Sequence, residues 1–218
     1  MLCMGVLIDH VFICTAVGAP AADALVAFGL TEGTPNRHPG QGTANRRFFF
    51  ENGMLELLWV ENAGEAQSEQ TRAMRLWERW SETCRGASPF GIILRRAPGS
   101  EEPCPFPSWE YRPATMPELV LRVASETALS EPLWCFFDDL PTHRRRQPIG
   151  HPAGLSRITR VGLVCPGLGE ASVTAAMAER NVIVLQPGDE HLLDLEFNGR
   201  QSGDQKDFRP GLPLVLQW

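Results

Sequence analysis

The chain has 218 residues and a mass of 24.1 kDa, enough to bury a substantial core without disulfides, as one large domain or two small ones. With 43% hydrophobic and 21% charged residues it has the composition of a soluble globule. A net charge of −6 and a pI near 5.4 exclude a general electrostatic grip on nucleic acid or anionic lipid.

The opening MLCMGVLI halts at Asp9 without a basic leader or cleavage pattern, so no signal peptide is expected. No apolar run approaches the roughly 20 residues that cross a bilayer. Ile8 to Cys14 is short, β-branched and aromatic, and reads as a strand. Ala19 to Phe28 carries Ala22, Leu25 and Val26 at helical spacing, with Gly29 as its stop. Thr34 to Asn45 reads as a loop. Phe48–Phe50 and Met54 to Val60 read as antiparallel strands about an Asn52–Gly53 turn. From Ser68 to Cys84 the spacing of Met74, Trp77, Trp80 and Cys84 predicts one amphipathic helix, with Arg72, Arg75, Glu78, Arg79 and Glu82 on its outer face. Strands are expected over Phe90 to Arg95, Leu119 to Val123 and Leu133 to Phe137, and a polar connector over Pro141 to Gly154. The final quarter repeats the opening: strand Arg157 to Cys165, helix Gly169 to Glu179, strands Val182 to Leu185 and His191 to Phe197, and a closing strand Leu212 to Trp218.

Alternate side chains of a strand share a face. That groups Ile8, His10, Phe12 and Cys14, and likewise Met54, Glu56 and Leu58. A buried carboxylate costs several kcal/mol unless a partner compensates. On neighbouring strands, His10 and Glu56 can therefore hold a divalent cation together or pair with each other. The loop from His38 to Arg47 is a second candidate, because its glycines admit a ligand to the backbone and Asn45 and Arg46 can bind an anionic or carbonyl group. The tryptophans at 59, 77, 80 and 134 read as core, and His143, Arg144–Arg146 and His151 as a solvated charge run. Six cysteines, at 3, 14, 84, 104, 135 and 165, have no zinc-finger spacing and read as free thiols of a cytoplasmic protein. Gly167-x-Gly169-x-x-Ser172 lacks the third glycine of a dinucleotide loop, so no nucleotide cofactor is expected.

The start IDH at Ile8 to His10, the loop HPGQGTANRRFFFENG at His38 to Gly53, and MLELLWV at Met54 to Val60 resemble a glyoxalase-like domain of the vicinal oxygen chelate superfamily. The superfamily includes glyoxalase I, extradiol dioxygenases, epimerases and the fosfomycin and bleomycin resistance proteins. The resemblance is best over residues 7 to 60 and weaker over 157 to 218. It implies an α+β fold of two βαβββ modules, mostly antiparallel, curled into a cup. Here these span 1–66 and 157–218, with a middle helix-and-strand segment, 67–156, completing the sheet of one compact domain. It also implies one divalent ion (Zn, Ni, Mn or Fe) held by a His and a Glu from each module. His10 and Glu56 match the first pair. In the second, Glu196 or Asp194 matches Glu56, but Arg160 stands opposite His10. If Phe90 to Arg95 is the first strand of that module instead, Gly91 takes the place. Either way the ligand set is incomplete, since arginine stays protonated and repels a cation.

The expected function is a small-molecule enzyme of lyase, isomerase or dioxygenase type. Glu56, Glu196 or Asp194 would serve as base, and Asn45, Arg46, Arg160 and His38 would hold an oxygen-rich, anionic substrate. The alternative is a metal-free binding protein of the bleomycin-resistance type. The expected partners are a small molecule, neither nucleic acid nor membrane, and a second copy of the chain in a homodimer.

Overall fold

The computed structural model describes residues 5–81, 86–125, 127–138, 147–169 and 172–218. Cys3, Cys84, His143 and Arg144–Arg146 lie outside the described residues. The first unit runs β1 (Val6–Cys14), α1 (Ala22–Phe28), β2 (Asn36–His38), β3 (Thr43–Phe49) and β4 (Met54–Val60). Helix α1 ends where Gly29 takes φ +109 and Leu30 donates back to the Leu25 carbonyl, a left-handed closure that glycine adopts without strain. Strand β2 forms inside the stretch read as a loop, pairing Asn36–His38 with Thr43–Asn45.

A covering segment follows: α2 (Ala63–Ala66), a single 3-10 turn (Arg72–Met74) and α3 (Leu76–Trp80). The continuous helix expected from Ser68 is broken at Arg75, whose φ of +55 is left-handed. The break turns Met74, Leu76 and Arg79 inward and leaves Trp77 and Trp80 half-buried.

Next come β5 (Phe90–Arg96), β6 (Ser108–Tyr111), β7 (Leu121–Ala124) and β8 (Leu133–Phe137). These join the first unit in one eight-stranded sheet of order β2-β3-β4-β1-β5-β8-β7-β6. The two halves of that sheet match. β1 runs parallel to β4, β5 runs parallel to β8, and the halves meet where β1 and β5 pair antiparallel. The strands that partner the first unit thus come from the middle segment, and Phe90–Arg96 is the second half's first strand.

The final quarter builds a separate five-stranded sheet. Its elements are β9 (Ile158–Val164), α4 (Val173–Glu179), β10 (Val184–Gln186), β11 (Leu192–Phe197), β12 (Gln205–Asp207) and β13 (Leu214–Gln217), in the order β10-β9-β11-β13-β12. Ser172 caps α4 by accepting from the Ala175 amide, and buried Glu131 accepts from Ser172, the Thr174 amide and the Thr174 hydroxyl.

The result is a mixed α+β protein of few helices and curled, mostly antiparallel sheets. One apolar cluster takes Ile13, Leu57, Ile92 and Phe136 from the first sheet, Leu163, Leu195 and Leu216 from the second, Leu25 from α1 and Met177 from α4. The sheets therefore pack through these faces, and each fully buried Phe or Leu contributes about 1.5–3 kcal/mol. A second cluster fills much of the opposite, concave face of the large sheet. There Phe12, Ile93, Val123 and Cys135 meet Met74 and Leu76 of the covering segment. Among the described residues no helix is long and apolar enough to cross a membrane.

Candidate functional site

Strand β1 carries a bulge. His10 opposes Ile93 while Ile8 opposes Leu94, so Asp9 is the extra residue. The bulge shifts the alternation: Ile8 joins the inter-sheet core, and His10, Phe12 and Cys14 face the concave side. Ile8 therefore does not share the face of His10, as simple alternation predicts. The bulge also puts Asp9 beside His10. Its Oδ2 lies 2.8 Å from His10 Nδ1, and its Oδ1 lies 3.5 Å from Arg95 Nε.

Phe12 opposes Glu56 across the β1–β4 pair, which sets Glu56 on the same concave face. Glu56 Oε2 stands 3.9 Å from His10 Nε2, and Oε1 accepts a 2.7 Å hydrogen bond from Asn45 Nδ2. Asn45 is itself fixed, since its Oδ1 accepts from the Asn36 amide at 2.9 Å. His38 lies close by. Its Nδ1 is 2.9 Å from the Thr43 hydroxyl, and burial pushes its pKa down while the Glu56 charge opposes that shift. Asp9, His10, His38, Asn45, Glu56 and Arg95 thus form one polar patch, nearly buried, at the end of an apolar cup.

Arg46 does not belong to it. It opposes Leu57 and so projects to the other side of β3, where its guanidinium is bidentate on Glu32 and reaches Asp23. One residue of strand separates Asn45 from Arg46, and that is enough to part them. Arg160, Asp194 and Glu196 form a second patch, on the five-stranded sheet. Arg160 opposes Glu196 and holds it at 3.1 Å, with Asp194 at 3.8 Å. Asp194 Oδ2 also accepts from Gln186 and Gln217. These acids are bound by cations and amides and do not converge with Glu56 on one centre. His191 sits apart, against the Gly86 carbonyl.

The residues do not make the metal set that the fold implies. The β5–β8 register Ile93↔Cys135 repeats the β1–β4 register Phe12↔Glu56. The second unit therefore offers Gly91 where the first has His10, and Cys135 where it has Glu56. A Cβ at Gly91 would lie 2.0 Å from the Phe12 ring, so that ring occupies the space a second histidine needs. Cys135 is buried and its thiol is pushed up to about 12, which keeps it protonated. No three His, Cys, Asp or Glu side chains among the described residues are grouped to hold a metal ion.

Between the ends of the two sheets lies a cavity of about 320 Å3. His10 and Arg95 border it from the first sheet and Arg157 and Arg160 from the second. The Asn52 side chain bridges the sheets beside it, donating to the Ile158 carbonyl at 2.8 Å and accepting from its amide at 2.9 Å. Asp9, Arg95 and Arg157 gave no signal in the sequence, because a bulge and the approach of two sheets bring them to His10.

No curated protein matches the chain. A crystal structure of a hypothetical protein from Staphylococcus aureus aligns with 97% of this chain and 98% of its own at a TM-score of 0.52, with 10% identity, which shows the shared fold. The family described as glyoxalase-like domain matches residues 8–99, from β1 through the end of β5. That stretch, rather less than half of the chain, is thus similar to a glyoxalase-like domain, and it includes both strands that build the Asp9–His10–Glu56 patch.

Proposed function

We propose that the protein acts on a small, oxygen-rich, anionic molecule bound against His10, as an enzyme of lyase or isomerase type that moves a proton beside a carbonyl. Asp9 takes the Nδ1 side of the imidazole and accepts its proton, and Nε2 stands on the Glu56 side, where the ring and that carboxylate share one further proton that substrate can give or take. Asn45 orients Glu56 as the second proton-handling group. Arg95 and Arg160 are placed to neutralise substrate oxygens and a developing enolate. Asp194 and Glu196, tied to Arg160, serve by holding that guanidinium. The observation that carries this reading is that one imidazole stands within 4 Å of a carboxylate on each side, on a residue that borders a cavity together with three arginines. None of these steps calls for a metal, and the donor set is short of one.

The test is NMR-monitored solvent deuterium exchange at the carbon beside the carbonyl, across a panel of 2-oxo and 2-hydroxy acids. The wild-type chain should catalyse exchange in at least one acid, and His10→Gln and Glu56→Gln should each slow it by about a hundredfold or more. Equal rates in the variants contradict the assignment. The apolar filling of the cup around Phe12, Met74 and Leu76 favours a second reading, a protein that only binds its ligand. That reading predicts stoichiometric binding without exchange.

A further inference from the structure

We infer that the cavity between the two sheets selects a monocarboxylate with an apolar body, an inference that rests on the site just proposed and names its substrate class. Three arginines, at 95, 157 and 160, border the cavity, and among the described residues no acidic one does. The polar groups otherwise present are His10 and the neutral Asn52, Thr159 and Asn181. Charge complementarity therefore asks for an anion and rejects an ammonium group.

The arginines are not equally committed. Arg160 is engaged with Glu196 at 3.1 Å and holds its place. Arg95 Nε stands 3.5 Å from Asp9 Oδ1, longer than a good hydrogen bond. Arg157 reaches Glu51 at 3.8 Å, with both groups about half-exposed. The Arg157–Glu51 pair is long and wet and so worth little, and the terminal nitrogens of Arg157 can turn to a carboxylate at small cost.

The remaining wall is aliphatic, with Ile8, Met54, Ile158 and Val182 among its residues and half-exposed Val184 at its edge. A volume of about 320 Å3 is at the small end of ligand cavities, too small for a nucleotide or peptide and suited to a short alkyl or aryl acid. A small hydrophilic acid leaves that wall wet, whereas an alkyl chain gains about 0.8 kcal/mol for each methylene it buries there.

Isothermal titration of the full chain with octanoate, octan-1-ol and octylamine tests this. Octanoate should bind at one site, and octanol and octylamine at least about tenfold more weakly. Arg95→Gln should weaken octanoate by about tenfold, and Ile158→Trp, which fills the cavity, should abolish binding. Val184→Trp at the edge repeats that test should Ile158→Trp fail to fold. Equal binding of acid and alcohol, undiminished binding in the filled variants, or no octanoate binding by the wild-type chain overturns the inference. Octanoate binding without deuterium exchange in any acid supports the inference and overturns only the enzymatic reading. Exchange confined to acids without an apolar body overturns the inference and leaves that reading standing.

Discussion

Glu56 and Asn45 set the residue-scale argument: a buried carboxylate whose Oε1 depends on a single amide donor. Asn45→Leu removes that donor and keeps a side chain branched at the same carbon. It should cost about 2 kcal/mol, the penalty for an unsatisfied buried charged acceptor. Pairing Asn45→Leu with Glu56→Leu should restore part of the loss, and urea denaturation of the single and double variants measures both. His10 and Glu56 were legible as polar intruders in apolar strands. The bulge at Asp9 was not, because a single extra residue leaves no trace in alternation until the partner strand is known. His151 shows the opposite error, since it reads as part of a solvated charge run and is in fact a structural strut. Its Nδ1 accepts from the Thr31 amide at 2.9 Å and its Nε2 donates to the Phe49 carbonyl at 2.9 Å, so only the neutral ring fits. Burial pushes the pKa of His151, and likewise those of His38 and His191, below the ordinary 6.5. The unfolded chain then takes up protons near 6.5 that the folded chain refuses. Stability should therefore be full above that pH and fall as pH drops through it toward the lower folded values. Urea midpoints between about pH 7.5 and about pH 5.5 measure the slope, and His151→Gln should flatten part of it.

At the scale of elements, the strands were mostly legible and the covering segment was not. Met54–Val60 and Leu133–Phe137 read correctly because each is a dense run of strand-forming residues bounded by turns. The Ser68–Cys84 pattern has a helical period, but Arg75 leaves the helix and redirects Met74 and Leu76 into the cup. There the tertiary gain of filling an apolar hollow outweighs propensity. Arg79, expected on a solvated face, is buried instead. Its Nη1 donates to the carbonyls of Ser88, Leu129 and Glu131, and burial pushes its pKa down to about 10. Leu76→Ala should cost about 2–5 kcal/mol by opening a cavity under this segment, read from thermal or urea unfolding. Gly91→Ala should cost about 1–3 kcal/mol by driving a methyl into the Phe12 ring, and Phe12→Leu should relieve part of that cost in the double variant.

On the scale of the whole molecule, the repeat was visible and its assembly was not. The opening and closing units resemble each other in sequence, yet the strand that pairs with β1 is β5, and β9 belongs to another sheet. Strand patterns report which face is apolar, not which neighbour completes the sheet. What joins the two sheets is a shared apolar core and a few specific ties, such as the paired bonds of Asn52 with Ile158 and the Phe50–Phe197 contact at 4.7 Å. Asn52→Ala should therefore lower octanoate affinity, because it loosens the wall shared by both sheets, and leave the titrations of the histidines largely unmoved, because its bonds run to the Ile158 backbone. Titration calorimetry of octanoate beside an NMR titration of the histidines separates the two effects.

The most direct measurement is a crystal structure of the full chain with octanoate bound. The carboxylate should lie within hydrogen-bonding distance of Arg95 or Arg157 and near His10, with the alkyl chain against Ile158 and Val182. Density for the acid inside the cup beside Phe12 and Met74 would contradict the account.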